Sequence, residues 1–378
     1  MNRREVSELR RRFHPEKSFI SHVYGCYVNS GKEIIAYLDE PLGVLHQEEA
    51  EKYLSLLKKA LSGALGRNLL DISFTTRQVA EGEEHRLLSD LRDTDLKDEA
   101  LRLKFFQKAV ESLNMGDTNY LILLAHDVYD VPYRAKDDSV MADASDTVFS
   151  YIVCAVCPVK DSKVELSYDP QEKHFHNRTA GQIVAQPELG FLFPAFDDRA
   201  TNLYNALFYT RKPDELHQEF IDGIFHTEPI MSAGEQKETF SSILYDAMEG
   251  GCSFDVLQSL HEQLRERIEL HKESKDPEPL GITAKEVGGM LTECGVEEKQ
   301  IETFQNKCEE QFGDDVVLRP ENIIDSKKFK VSTADSQIMV SPDRSYLVET
   351  RLIDGKKYIL IPADETVEVN GLPVTISQ

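Results

Sequence analysis

Apolar positions along this chain change period several times, and each change marks a boundary. In "EVSELRRRF", Val6, Leu9 and Phe13 fall at helical spacing with arginines on the other face, which predicts a short amphipathic opening helix. Residues 19–38 switch to strand-like runs, "FISHVYGCYVN" and "KEIIAYL", around a Ser-Gly turn at 30–31, and predict a hairpin. "HQEEAEKYLSLLKKALSG" returns to helical spacing through Ala50, Tyr53, Leu54, Leu57 and Leu61, with Gly63 as its stop. "LLDISFTT" then reads as a strand, and 82–113 as two helices.

Strands are predicted at 119–125, where "YLILLA" is continuously apolar, and across "TVFSYIVCAVCPVK", whose β-branched residues suit a central position. An Asp-rich loop should join them, and further strands should lie at 188–196 and 202–210. From about 214 to 274 the pattern is helical, until "DPEPLG" at 276–281 interrupts it. Thr283 and Glu286 have capping-box spacing at the start of the next helix, and another runs through about 297–312. The last fifty residues alternate in period two, with turn dipeptides at Asp354-Gly355 and Asn370-Gly371. The expectation is an α+β protein: a mixed sheet with flanking helices over 1–275, a helical connector over 276–325 and a small C-terminal β-module over 326–378.

Composition narrows the function classes. With 40% hydrophobic residues in 378, the chain can bury a substantial core. Its formal charge of −24, from 43 basic and 67 acidic residues, opposes non-specific adhesion to nucleic acid, so any polyanion site must be a local patch. One such patch is the first 17 residues, where Arg3, Arg4, Arg10, Arg11, Arg12 and Lys17 outnumber Glu5, Glu8 and Glu16. No apolar run follows these arginines as in a secretory signal, and none is long enough to span a membrane. Six scattered cysteines predict reduced thiols rather than a disulfide scaffold. These features together predict a soluble cytoplasmic protein with no cofactor; they leave the oligomeric state open.

Chemistry is most concentrated after Leu124. His126, Asp127 and Asp130, followed by Asp137, Asp138, Asp143 and Asp146, could ligate a divalent metal or orient a water at a strand end. The competing reading is a solvated acidic turn, because Asp is itself a turn former. Cys154 and Cys157 have redox or zinc-knuckle spacing, yet lie in a strand pattern that points them to opposite faces. His174 and His176 lack a third ligand at a defined spacing. Metalloprotease, Walker, nucleophile-elbow and Rossmann signatures are missing. A second candidate site is the segment 187–211, where Asp197, Asp198, Arg199 and Asn202 follow an apolar strand. Arg199 is expected to pair with Asp197 or Asp198.

Across nearly its whole length the chain resembles the bacterial domain-of-unknown-function family 4317, through "EVSELRRRFHPEKSFISHVYGCYVN", "YLILLAHDVYDVPYR", "ELGFLFPAFDDR", "NALFYTR" and "YILIPADETVEVNG". The resemblance implies a bacterial cytoplasmic protein and transfers no catalytic residue. A fainter similarity of layout, in "DEPLGVLHQEEAEKYLSLLKKAL", "NYLILLAHD" and "FGDDVVLRPENI", is to the nucleoid-associated proteins. It implies association with DNA or its topology machinery.

The sequence therefore points to a protein acting by binding, with a protein or nucleic-acid partner at the basic N-terminal helix through Arg10, Arg11 and Arg12. The alternative is a metal-dependent hydrolase centred on His126, Asp127 and Asp130.

Overall fold

The computed structural model describes residues 1–134, 140–162, 165–169, 171, 173–178, 181–313, 316–363 and 367–375; within them, 133–134, 140–146, 165, 167, 169 and 176–178 are described as backbone only. The chain divides into two compact units, Met1–Ala233 with Pro277–Pro279, and Gly234–Asp276 with Leu280–Gln378.

The first unit opens with α1 (Arg3–Arg10), started by a capping box in which Asn2 accepts from the Glu5 amide and Glu5 accepts from the Asn2 amide. The strands are β1 (His22–Val28), β2 (Ile34–Pro41), β3 (Leu69–Ser73), β4 (Asn119–Arg134), β5 (Val140–Asp161), β6 (Glu165–Asp169), β7 (His174–Arg178), β8 (Gln182–Val184), β9 (Leu189–Phe193), β10 (Ala195–Asp197), β11 (Ala200–Asn202) and β12 (Asn205–Thr210). Between them lie α2 (Gln47–Lys59), α3 (Thr76–Glu81), α4 (Glu83–Asp93) and α5 (Glu99–Ser112), with α6 (Gln218–Phe225) after the last strand. Among the described residues, eight strands make one sheet in the order β2-β1-β4-β5-β9-β12-β3, with β8 also on β5. The protein is α+β, as its hydrophobic pattern predicts. The sheet is antiparallel at every described pairing rather than mixed, since β1–β2 and β4–β5 are hairpins, which need no crossover.

Both faces of the sheet are buried at its central strands β4, β5 and β9, which explains why "LILLA" and "IVCAVC" read as unbroken apolar runs. Ile122, Leu124, Ile152 and Cys154 face α4, α5 and α6, packing with Leu88, Phe105, Phe106, Phe220 and Phe225. Leu121, Leu123, Ala125 and Cys157 face α1 and α2, packing with Leu9, Leu54 and Leu57. Gly190 of β9 permits the close approach of α2, because a Cβ there would collide with the Cys154 carbonyl oxygen and the Ala60 methyl. β4 and β5 extend far beyond their predicted spans. The pairing continues from His126↔Ile152 to Val131↔Thr147, so residues expected in an Asp-rich loop form a long ribbon.

The second unit contains α7 (Ala233–Ala247), α8 (Phe254–Ser274), α9 (Ala284–Glu293), α10 (Glu298–Phe312) and the short α11 (Pro320–Ile323). They pack around Phe240, Leu260, Leu264, Leu291 and Phe304, and β13 (Ile282–Thr283) pairs with β14 (Val317–Leu318). Thr283 and Glu286 form the predicted capping box. The period-two tail gives three separate hairpins: β15 (Phe329–Ser332) with β16 (Gln337–Val340), β17 (Glu349–Ile353) with β18 (Lys356–Leu360), and β19 (Val367–Val369) with β20 (Leu372–Val374). No helix among the described residues is long and apolar enough to cross a membrane.

Candidate functional site

His126 and Asp127 lie in the middle of β4, and neighbours on a strand project to opposite faces. The sheet therefore separates the two side chains, and they cannot close on one ion. On the α4–α5 side, His126 Nε2 is 2.8 Å from Ser150 Oγ and 3.5 Å from Asp95 Oδ1, and burial lowers its pKa against the pull of Asp95. Asp127, only 1% exposed, is the charged residue on the α1 face. It accepts from Arg12 Nε at 3.1 Å, Arg12 Nη2 at 3.3 Å, the Phe19 amide at 2.9 Å and the Tyr151 hydroxyl at 2.7 Å. Register sets the last contact, because Tyr151 stands directly opposite Asp127. Burial would lower the Arg12 pKa, but the Asp127 carboxylate more than offsets it. Tyr151 is pushed well up by burial and then by Asp127, which keeps its hydroxyl protonated as a donor. All four donors converge on one carboxylate, so Asp127 is committed to structure. Asp130 is exposed further along the strand. Asp137 and Asp138 lie outside the described residues, and Asp143 and Asp146 are described as backbone only.

The N-terminal arginines do not form one surface. Arg12 is buried against Asp127, Arg10 is half-buried and Arg11 is exposed. Arg12 also donates to the Val128 carbonyl at 3.0 Å and lies 4.5 Å from the centre of the Tyr129 ring.

Arg199 also differs from its expected pairing. Asp198 and Arg199 form the left-handed turn between β10 and β11, with φ of 49° and 58°, and Arg199 Nη1 reaches Glu8 at 2.5 and 2.6 Å instead of Asp197 or Asp198. Its Nη2 donates to the Pro132 carbonyl at 2.7 Å, and the Tyr129 hydroxyl donates to Glu8 at 2.6 Å. Asp197 accepts from Asn202 at 2.6 Å and lies 2.5 Å from the Met1 amine, whereas Asp198 is exposed. The two sequence-derived sites thus merge into one network that seats α1 on the sheet.

Cys154 and Cys157 fall in opposite cores, as strand alternation predicts. Glu188, Glu215 and His217 bring possible ligand atoms within 4.8 Å of one another, but their carboxylates already face Arg211 at 3.3 Å and Lys212 at 2.9 and 3.9 Å. A cavity of about 950 Å³ is lined by Asp71, Thr75, Arg77, Gln78, Glu81 and Glu228, its carboxylates outnumbering its one arginine.

A groove of about 620 Å³ in the second unit is different in kind. Phe240, Leu244 and Tyr245 of α7, Leu257 and Leu260 of α8, and Val331 of β15 give it an apolar lining of the sort that ligand sites use. Leu257 and Tyr245 are 43% and 58% exposed. Lys237, Lys328 and Lys330 also line it, exposed and without an ion pair among the described residues. Asp325, the carboxylate in the lining, accepts from the Lys327 amide at 2.9 Å. His261 Nε2 is 3.1 Å from the Asp325 carbonyl, which places its proton there and leaves the buried Nδ1 unpartnered. The sequence reading missed this groove. Its legible trace was "KKFK" at 327–330, a basic run in an acidic chain.

Residues 1–372 match the domain of unknown function DUF4317. The chain belongs to this family. No curated protein matches it. Membership in DUF4317 assigns no activity, so the groove and the sealed Arg12–Asp127 node must be judged on their own chemistry.

Proposed function

We propose that this DUF4317 chain is a bacterial cytoplasmic binding protein whose ligand site is the groove between α7, α8 and β15, and that the ligand combines apolar surface with negative charge. One observation carries this reading: in a chain of charge −24, three lysines with no carboxylate partner among the described residues collect around one apolar groove. Six unbridged cysteines support a reducing compartment.

Hydrolysis at His126, Asp127 and Asp130 is disfavoured by the split across the sheet and the saturated Asp127 carboxylate. A nucleoid-associated role rests on layout resemblance, and Arg12 is no longer available to it. The test uses 8-anilinonaphthalene-1-sulfonate, an apolar anion, on a Tyr245→Trp variant, whose new indole is the sole tryptophan. Saturable quenching of that indole by energy transfer, weakened in a Lys328→Glu, Lys330→Glu background, is expected. Dye binding that leaves the indole unchanged, or that ignores the charge reversals, would remove the groove as the site.

A further inference from the structure

The groove has a property beyond apolarity and charge: one of its walls is an open strand edge. Among the described residues β15 pairs with β16 alone, in the register Phe329↔Val340, Lys330↔Met339, Val331↔Ile338 and Ser332↔Gln337. The Thr333 amide donates to the Ser336 carbonyl at 2.9 Å, making 333 and 336 a hydrogen-bonded pair at the turn. Antiparallel ladders alternate, so 331/338 and 329/340 are hydrogen-bonded pairs as well. The backbone N–H and C=O groups of Lys330 and Ser332 therefore point away from β16. An open edge of this kind is a template for another strand.

Side-chain parity supplies the recognition rule. Phe329 is buried, with its ring edge-on to Phe254 and His261 at centroid distances of 6.0 and 5.3 Å. Lys330 projects from the other face of the strand, and Lys328 precedes its first residue. A strand added alongside would place alternate side chains beside the apolar lining and the intervening ones beside the lysines, where like charges repel and opposite charges attract.

Resting on the groove being the ligand site, we infer that it accepts an extended peptide of alternating acidic and apolar residues, added as a third strand to β15 and held by Lys237, Lys328 and Lys330. The partner is a protein segment of that composition. Main-chain bonds at Lys330 and Ser332 supply the register, and the lysines reject basic sequences.

The test is fluorescence anisotropy of a short labelled peptide alternating glutamate and valine, titrated with the full chain. Saturable binding is expected, weakening with salt and falling about tenfold or more in Lys328→Glu, Lys330→Glu. A lysine–valine peptide should not bind. Ser332→Pro removes one outward N–H without touching a lysine or the β15–β16 ladder, as an edge strand tolerates. It should abolish peptide binding while leaving dye binding intact, which also reports that the groove remains folded. If the dye binds but the peptide does not, or if Ser332→Pro binds peptide like wild type, strand addition is wrong while the groove reading stands. If neither binds, both fall. Concentration-dependent dimerisation that excludes the peptide would assign the edge to a second copy and also overturn the inference.

Discussion

Arg12 and Asp127, 115 residues apart in the chain, meet as a bidentate pair at the boundary between α1 and the sheet. The carboxylate is almost wholly removed from water and the guanidinium nearly so, with side-chain exposures of 1% and 10%. Removing one partner of such a pair strands the other charge, whereas replacing both with apolar groups of similar size removes the problem.

Asp127→Asn should accordingly cost about 3–5 kcal/mol in urea unfolding, and Arg12→Met a comparable amount. The double variant Arg12→Met, Asp127→Leu should cost much less than the sum, giving a strong coupling term. Additive losses would show that the two side chains act independently. Asp127→Ala protein prepared without chelator should also carry the same metal content as wild type by elemental analysis.

Thiol reactivity should separate by depth. Burial pushes Cys154 well up and Cys157 up to about 12, and Cys26 and Cys308 are also buried, whereas Cys252 and Cys294 are partly accessible. Alkylation of native protein followed by mass spectrometry should mark Cys252 or Cys294 first, with Cys154 and Cys157 reacting only on unfolding. Mild oxidation should yield no Cys154–Cys157 bridge, since the bond requires converging Cβ vectors and the sheet separates them. Efficient formation of that bridge would refute the strand register.

Stability should decline as pH falls below neutrality. Burial lowers the pKa of His126, His217 and His261, so between the ordinary value of about 6.5 and the lowered folded values the unfolded chain binds more protons. Stability then rises with pH across that window and is progressively lost as pH drops through it. Thermal midpoints should fall from pH 7.5 toward pH 5, and His126→Asn should flatten that slope. An unchanged slope would mean that His126 keeps its solution pKa.

Direct DNA binding is the outcome we expect not to see at physiological salt. With Arg12 held by Asp127, the exposed cations near the N-terminus are Arg3, Arg4, Arg11 and Lys17. About four phosphate contacts would give a log–log salt slope no steeper than roughly −3.6 on duplex DNA, against the repulsion of a strongly acidic chain. Titration of labelled duplex at two salt concentrations, with Arg3→Glu, Arg4→Glu, Arg11→Glu as the control, checks this. Tight, salt-steep binding that the control abolishes would restore the N-terminal helix as a nucleic-acid surface.

Periodicity alone determined the α+β class, the opposed directions of Cys154 and Cys157, and the capping box at Thr283 and Glu286, because each depends on residues within a few positions of one another. The length of β4 was not legible: Asp127 and Asp130 look like turn residues until the ribbon with β5 supplies partners across the strand. Arg12 looked like one of three equivalent surface arginines. Only the folded sheet placed a buried carboxylate beneath it, and only the turn at Asp198 carried Arg199 to Glu8. The groove lay furthest from sequence reading. Its apolar positions belong to α7, α8 and β15, and the unpaired state of its lysines is a property of which carboxylates are out of reach. Local spacing decides which elements form and which face each side chain takes. Long-range packing decides which charges are neutralised, and so which remain to bind something else.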